Sequence, residues 1–358
     1  MVDVSETRET REGRWRRWLS PRNIGAVYVW ILIVILFSII SPSTFPTTNT
    51  AKSVVDQYAI TGMVALALVV PLAAGVYDLS IGSILAFGGV FVAYLLGHTS
   101  MSPVLAGVVV MGACIVIGLM NAFIVTVLRV SSFIATLGSG AIIAAITAAL
   151  SHEQTLTGRV SEGYTKLATT NLSDIQIPVL YMLIIMVALA YWLERTQSGR
   201  QIYAIGFDEE TAKLTGVPVK RFVGLSLVTS ACISGFAGMV LAAQVSAGAP
   251  SVGASYLIPA FSGAFLGATQ LRGGRFNPWG TVIGVLLLGT GNVALLISGG
   301  PTWTPSLFQG LVLIAAVALT SLDREAIRGW LPRRRAGGGE QPPSPELELS
   351  PEQQATRG

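Results

Sequence analysis

Residues 58–96 read YAITGMVALALVVPLAAGVYDLSIGSILAFGGVFVAYLL. Two apolar stretches, 58–75 and 79–96, meet at a short turn whose only charged residue is Asp78. A helix crossing the hydrocarbon core needs about 20 mostly apolar residues, and each stretch comes close to that. Neither has the period-2 alternation and turn spacing of an outer-membrane barrel. Both are read as membrane helices, which pair their backbone groups within the segment where no water can.

Eight further stretches share this character: 24–40, 103–128, 133–150, 178–193, 222–244, 257–271, 279–297 and 304–322. The fold class is therefore an all-α integral membrane protein of about ten transmembrane helices. Composition agrees: of 358 residues 52% are hydrophobic and 12% charged, against roughly 25% charged in a soluble domain. The net charge of +4 does not indicate a nucleic-acid partner, because the charges fall in loops and tails. Cys114 and Cys232 both lie in apolar runs, which leaves no four-cysteine metal site.

Lys and Arg near helix ends set the orientation. With the N-terminus in the cytoplasm, 20 of the 23 basic residues fall on that side and only Lys52, Arg159 and Lys166 on the other. An even number of spans keeps the basic C-terminal tail inside as well. The expected organisation is a basic cytoplasmic segment at 1–23, a transmembrane domain at 24–322 with a cytoplasmic connection at 194–221, and a mostly disordered cytoplasmic tail at 323–358 rich in Gly, Pro and Arg. Trp30, Trp192, Trp279, Trp303 and Trp330 fall at or near span ends, as an aromatic belt does. No Ala-x-Ala site follows the first run, which is read as a retained helix.

The connection at 194–221 carries start and stop signals for one short helix. Asp208 suits the N-cap, Glu209 and Glu210 suit the positive end of the dipole, Gly216 suits the left-handed position past the end, and Pro218 blocks continuation. A helix of about two turns is marginal in water and gains order by packing. It either lies on its own bundle or lipid, or docks in a groove of a partner. None of Lys52, Lys166, Lys213 and Lys220 stands in a G-x-x-x-x-G-K-[ST] loop, so no ATP site of this chain's own is recognised.

Asp78 has two readings, an N-cap of the third helix or part of an ion path. Asn121, Thr126, Thr136, Thr229, Ser230 and Asn292 either line a path for a neutral hydroxylated solute or bond neighbouring helices, and Phe261 and Ser262 are further candidates for the path. The eighth stretch holds 15 residues in 257–271, about 22 Å of helix, and needs protein around it. Its Gly263 and Gly267, like Gly280 and Gly284 in the ninth, permit close helix approach or line a path.

The ordered motifs of residues 58–322 resemble the membrane permease subunit of ATP-binding-cassette importers for simple sugars, the ribose, xylose and galactose group. Asp78-Leu79-Ser80-Ile81-Gly82-Ser83 is similar to that family's D-L-S-[VI]-G-S; Gly118-Leu119-Met120-Asn121-Ala122 and Phe133-Ile134-Ala135-Thr136-Leu137-Gly138 resemble the next pair. Thr196 to Gly206 followed by Glu209-Glu210-Thr211-Ala212-Lys213-Leu214-Thr215-Gly216-Val217 resembles the coupling region, and Gly273-Gly274-Arg275-Phe276-Asn277-Pro278-Trp279-Gly280 the segment before the ninth helix. Val76-Tyr77 and Leu257-Ile258-Pro259 depart from the family pattern. The resemblance implies a type II importer-like permease bundle in the bacterial inner membrane, without cofactor or catalysis of its own. It also implies a cytoplasmic ATPase docking on Asp208, Glu209, Glu210, Ala212, Leu214, Thr215, Gly216 and Val217, an extracytoplasmic solute-binding protein, and a second permease copy, commonly as a homodimer.

Two other functions compete. An ion-coupled carrier would take up solute without ATP. A membrane enzyme has little to work with, since His98 and His152 stand in no H-E-x-x-H motif and no G-x-S-x-G turn occurs.

Overall fold

The computed structural model describes residues 21–157, 162–172, 175–269 and 274–330. Arginines before residue 21, Arg159, Arg272, Gly273 and the tail after Trp330 lie outside the described residues. The chain divides into Met1–Ser321 and Leu322–Gly358; the first holds the membrane bundle, and the second is described only to Trp330.

Thirteen helices are seen among the described residues. They are α1 (Pro21–Ile40), α2 (Thr48–Ala73), α3 (Ile81–His98), α4 (Pro103–Thr126), α5 (Ser132–Ser151), α6 (Glu162–Thr169) and α7 (Ile177–Arg195), then α8 (Gln197–Phe207), α9 (Glu209–Leu214), α10 (Val219–Val245), α11 (Gly253–Ala268), α12 (Pro278–Ile297) and α13 (Thr304–Trp330). Seven of them, α2, α3, α4, α5, α7, α10 and α12, are long and apolar enough to cross a membrane, and α1, α11 and α13 contain shorter apolar stretches. These ten match the ten stretches read from sequence.

The helices form an inner and an outer set. The apolar windows of α2, α3, α10 and α12 are 67–72% buried and those of α4, α5 and α7 only 28–39%. On α4 and α5 the exposed Val104, Val108, Leu119, Ile134, Ile142 and Ile146 present apolar surface of the kind lipid covers. Lipid gives no hydrophobic drive for one helix to bury against another, so close packing must do it. Accordingly α10 meets α3 through Gly235 on Gly88 and Gly238 on Gly89, and α11 meets α12 through Gly263 on Gly284 and Gly267 on Gly280. The short α11 has its ends on the first turns of its neighbours, Gly253 against Gly82 of α3 and Gly267 against Gly280 of α12.

Boundaries shift where side chains cap. Thr47 Oγ1 accepts from Thr50 N–H at 3.1 Å, so α2 starts at Thr48, well ahead of its apolar stretch. α3 starts at Ile81 rather than Leu79, because residues 75–80 are spent on a bonded turn. The longest loop is ordered in part: Leu156–Thr157 pairs antiparallel with Ala247–Gly248, and Tyr164 of α6 donates to the Met239 carbonyl of α10 at 2.9 Å.

Candidate functional site

Three segments far apart in sequence meet at one end of the bundle, with α8 between them. Thr196 closes α7 and opens α8, its Oγ1 accepting from Gly199 N–H at 3.2 Å. Trp192 Nε1 donates to Ser198 Oγ at 2.9 Å, so this tryptophan braces the α7–α8 corner. Gly199, Ile202 and Ile205 are buried, a spacing of three that keeps one side of α8 against the bundle. From α8, Tyr203 Oη donates to the Phe276 carbonyl at 2.7 Å, and Gly206 packs on the Ala73 carbonyl at the end of α2.

The first converging segment is the turn from α2 to α3. Gly75 takes φ +78, its N–H donates to Leu72 O at 3.1 Å and Val76 N–H donates to Pro71 O at 3.0 Å, the double closure of a Schellman end. A Cβ on Gly75 would lie 3.3 Å from Gly206 Cα, so turn and α8 touch backbone to backbone. Beyond it the chain is held by side chains. Tyr77 N–H donates to Ser132 Oγ at 3.1 Å and Leu79 N–H to Thr136 Oγ1 at 3.0 Å. Asp78 and Ser80 are wholly buried. Asp78 Oδ1 accepts from Ser80 N–H at 3.0 Å and from Ser80 Oγ at 2.5 Å, while Asn121 Nδ2 donates to Ser80 Oγ at 2.9 Å. Ser230 of α10 is wholly buried as well, close enough to the Asp78 carboxylate to act on it.

The N-cap expectation for Asp78 needs correction. Ser80 is the residue flanking α3, and it makes no side-chain cap bond; Asp78 instead ties the turn internally through Ser80. Of the residues weighed for a solute path, Asn121 and Thr136 are buried and both hold this turn. Ser262 is buried elsewhere, on α11, donating to Ile258 O at 2.8 Å and lying 3.4 Å from the Gln309 carbonyl of α13. Phe261 stacks on Phe265. A cavity of about 150 Å³ opens between α3, α10 and the start of α11, with Leu85, Gly89, Leu241, Val252 and Tyr256 in its wall.

The second segment precedes α12. Gly274 has φ +82, and Arg275 is exposed. Asn277, wholly buried, caps α12 by accepting from Gly280 N–H at 2.7 Å and donates Nδ2 to Arg275 O at 3.0 Å. Trp279 is partly exposed and Gly280 seats against α11.

The third is the short helix foreseen from its caps. Asp208 Oδ1 accepts from Glu210 N–H at 3.0 Å and Thr211 N–H at 3.1 Å. The Thr211 N–H foremost holds the Asp208 carboxyl below the usual carboxylate range. Glu209 pairs with Lys213 at 2.5 Å, the favourable order at i, i+4. Gly216 has φ +83, and Gly216 N–H to Lys213 O at 3.0 Å with Val217 N–H to Ala212 O at 3.0 Å gives α9 the same Schellman end as α2. Thr215 Oγ1 donates to Ala212 O at 2.9 Å. Ala212 is buried and Leu214 is 89% exposed, as is Phe207 at 85%. Sequence reasoning passed over Phe207 and over α8 itself; the cap Thr196 and the spacing of Ile202 and Ile205 were the available signals.

The family model described as branched-chain amino acid transport system / permease component matches residues 51–317. The chain is 32% identical over 302 residues to the D-allose transport system permease protein of Escherichia coli, covering 83% of this chain and 91% of that one. It is 31% identical over 299 residues to the ribose import permease protein of Bacillus subtilis, with 83% and 92% covered. With the L-arabinose ABC transporter permease protein of Azospirillum brasilense it shares 27% over 314 residues, with 87% and 91% covered. No solved structure matches the chain. Ten apolar helices, the bonded turn at Asp78 and the capped helix at Asp208 thus stand in a chain that belongs to the branched-chain amino acid transport system / permease component family of membrane permeases.

Proposed function

We propose that this chain is the transmembrane subunit of an ATP-binding-cassette importer for a neutral monosaccharide of the ribose, allose or arabinose kind. Orientation follows the basic residues: both termini and the α8–α9 end face the cytoplasm of a bacterial inner membrane. There α9 with its flanking caps, from Asp208 to Val217, docks into a separate ATPase. An extracytoplasmic binding protein delivers solute to the opposite end, and a second copy of the chain completes the pair. The solute path runs beside α3, α10 and α11, with Phe261 and the cavity at Tyr256 on it.

The observation that carries this reading is the exposure of Phe207 and Leu214 on either side of the Asp208 cap, 85% and 89%. Two large apolar side chains exposed beside a capped corner, on the side the basic residues assign to the cytoplasm, support a contact surface for a partner. The corner belongs to α8, which touches the turns before α3 and α12, so the movement of a docked partner reaches the membrane helices through it. Replacing Glu210 and Leu214 together by Ala is expected to lower ATP-dependent uptake about tenfold or more, with membrane insertion unchanged. Transport at the original rate in that double variant removes the docking assignment.

A further inference from the structure

The cavity between α3, α10 and the start of α11 has an almost wholly apolar wall. Among the described residues that line it, Tyr256 alone has a polar side chain, and none is charged. Behind Tyr256 the surroundings change. Helices α2, α11 and α12 pack on one another, and Tyr256 of α11 is close enough to Tyr58 of α2 for the two phenols to act on each other. The Tyr58 ring lies on bare backbone of α12, since a Cβ on Gly289 would stand 2.7 Å from it. Asn292, three residues further and so on the same side of α12, donates Nδ2 to Tyr58 Oη at 2.6 Å.

These three side chains have bonding capacity left over. Tyr58 Oη is taken as an acceptor, and a phenol so placed keeps its hydrogen to donate. The Tyr256 hydroxyl forms no hydrogen bond with a described residue, and Asn292 Oδ1 is buried and makes none. Polar groups inside a protein are seldom left so, and each asks for an explanation. Both tyrosines are only half-buried, and a molecule in the cavity meets Tyr256 first, with Tyr58 beyond it.

We propose that Tyr256 and Tyr58 form a hydroxyl-reading subsite for a neutral cyclic polyol on its way through the bundle, with Asn292 as a positioning residue that leaves the Tyr58 proton to the solute. Small-molecule sites are mostly apolar, with a few placed polar groups that fix orientation. The same division holds here: Leu85 and Leu241 offer an apolar wall to the C–H face of a sugar ring, and the phenols meet its hydroxyls. The inference rests on the importer reading and adds to it a place where the membrane subunit itself, besides its binding protein, discriminates among solutes.

The test uses the full complex, with ATPase and binding protein, in sealed vesicles. It measures ATP-dependent uptake of D-ribose, D-allose and L-arabinose, and of the single-deoxy analogues of whichever is imported. The binding protein is the same throughout, so its own preference cancels when a variant's parent-to-analogue ratios are set against those of the wild type. Tyr256→Phe removes one hydroxyl and keeps the ring; for at least one analogue the ratio is expected to fall about fivefold or more. Tyr58→Phe is expected to act likewise, Asn292→Leu to follow Tyr58→Phe, and the double variant of those two to add nothing further. Tyr256→Phe decides the matter if the other variants do not assemble. Ratios unchanged for every analogue in Tyr256→Phe, whether uptake as a whole holds or falls, overturn the subsite. A wild type that takes up none of the three sugars, or takes them up without ATP, overturns the importer reading instead.

Discussion

At Gly238 there is no room for a methyl group. A Cβ would lie 3.0 Å from Gly89 N and closer still to the Leu85 carbonyl oxygen, and both are backbone atoms of α3 that cannot rotate away. Gly238→Ala is therefore expected to force α3 and α10 apart at a cost of about 1–3 kcal/mol, read as a lower unfolding midpoint in detergent. Gly112, on the outer helix α4, has nothing within 4 Å of where a Cβ would stand, so Gly112→Ala is expected to leave the midpoint unchanged or raise it, by up to ~1 kcal/mol of helix propensity. Equal losses in both variants would show that the glycine contacts do not set the packing. At this scale the sequence was legible only in part. Gly263, Gly267, Gly280 and Gly284 stood at turn spacing and could be read as close-packing sites, whereas nothing local pairs Gly89 with Gly238, because that contact is made by chain folding.

Element by element, legibility followed the range of the forces involved. The ten apolar stretches could be read because apolar length is a property of the stretch itself, and α9 because its cap, dipole and stop residues lie close together in the chain, from Asp208 to Pro218. Helix α8 was missed: its eleven residues include Gly199 and Gly206, poor helix formers whose value is the close approach they allow to α7 and α2. A pH prediction belongs to α9. The Asp208 carboxyl is held low by the Thr211 N–H foremost, so its cap is fully formed above the ordinary carboxylate value and is lost as pH falls through the lowered one. Amide exchange at Thr211 and Ala212 is expected to quicken, relative to an uncapped reference peptide, on acidification through that window. Asp208→Asn should remove this acid dependence while keeping a cap, and Asp208→Ala should give fast exchange at every pH. An acid response surviving in Asp208→Asn would place its origin elsewhere.

For the whole molecule, the informative fact is that its two polar turns and its capped corner gather at one end, around α8, although they stand near residues 78, 206 and 277. No periodicity or composition announces such a meeting; it is set by the order in which ten helices reverse. The prediction at this scale is equally global. The purified chain, placed alone in vesicles, is expected not to accumulate sugar against a gradient, whatever proton or sodium gradient is imposed. Accumulation by the lone chain would remove the need for a nucleotide-driven partner.

The glycine contacts of α3 with α10 and of α11 with α12 bear on how such a bundle can move. Helices that interlock through leucines resemble gears, and sliding them means lifting every tooth from its socket. At the glycines the main chains meet directly, closer to two polished rails, and a slip there by a fraction of a turn disturbs fewer rotamers. Such a seam is expected to yield by sliding rather than by parting.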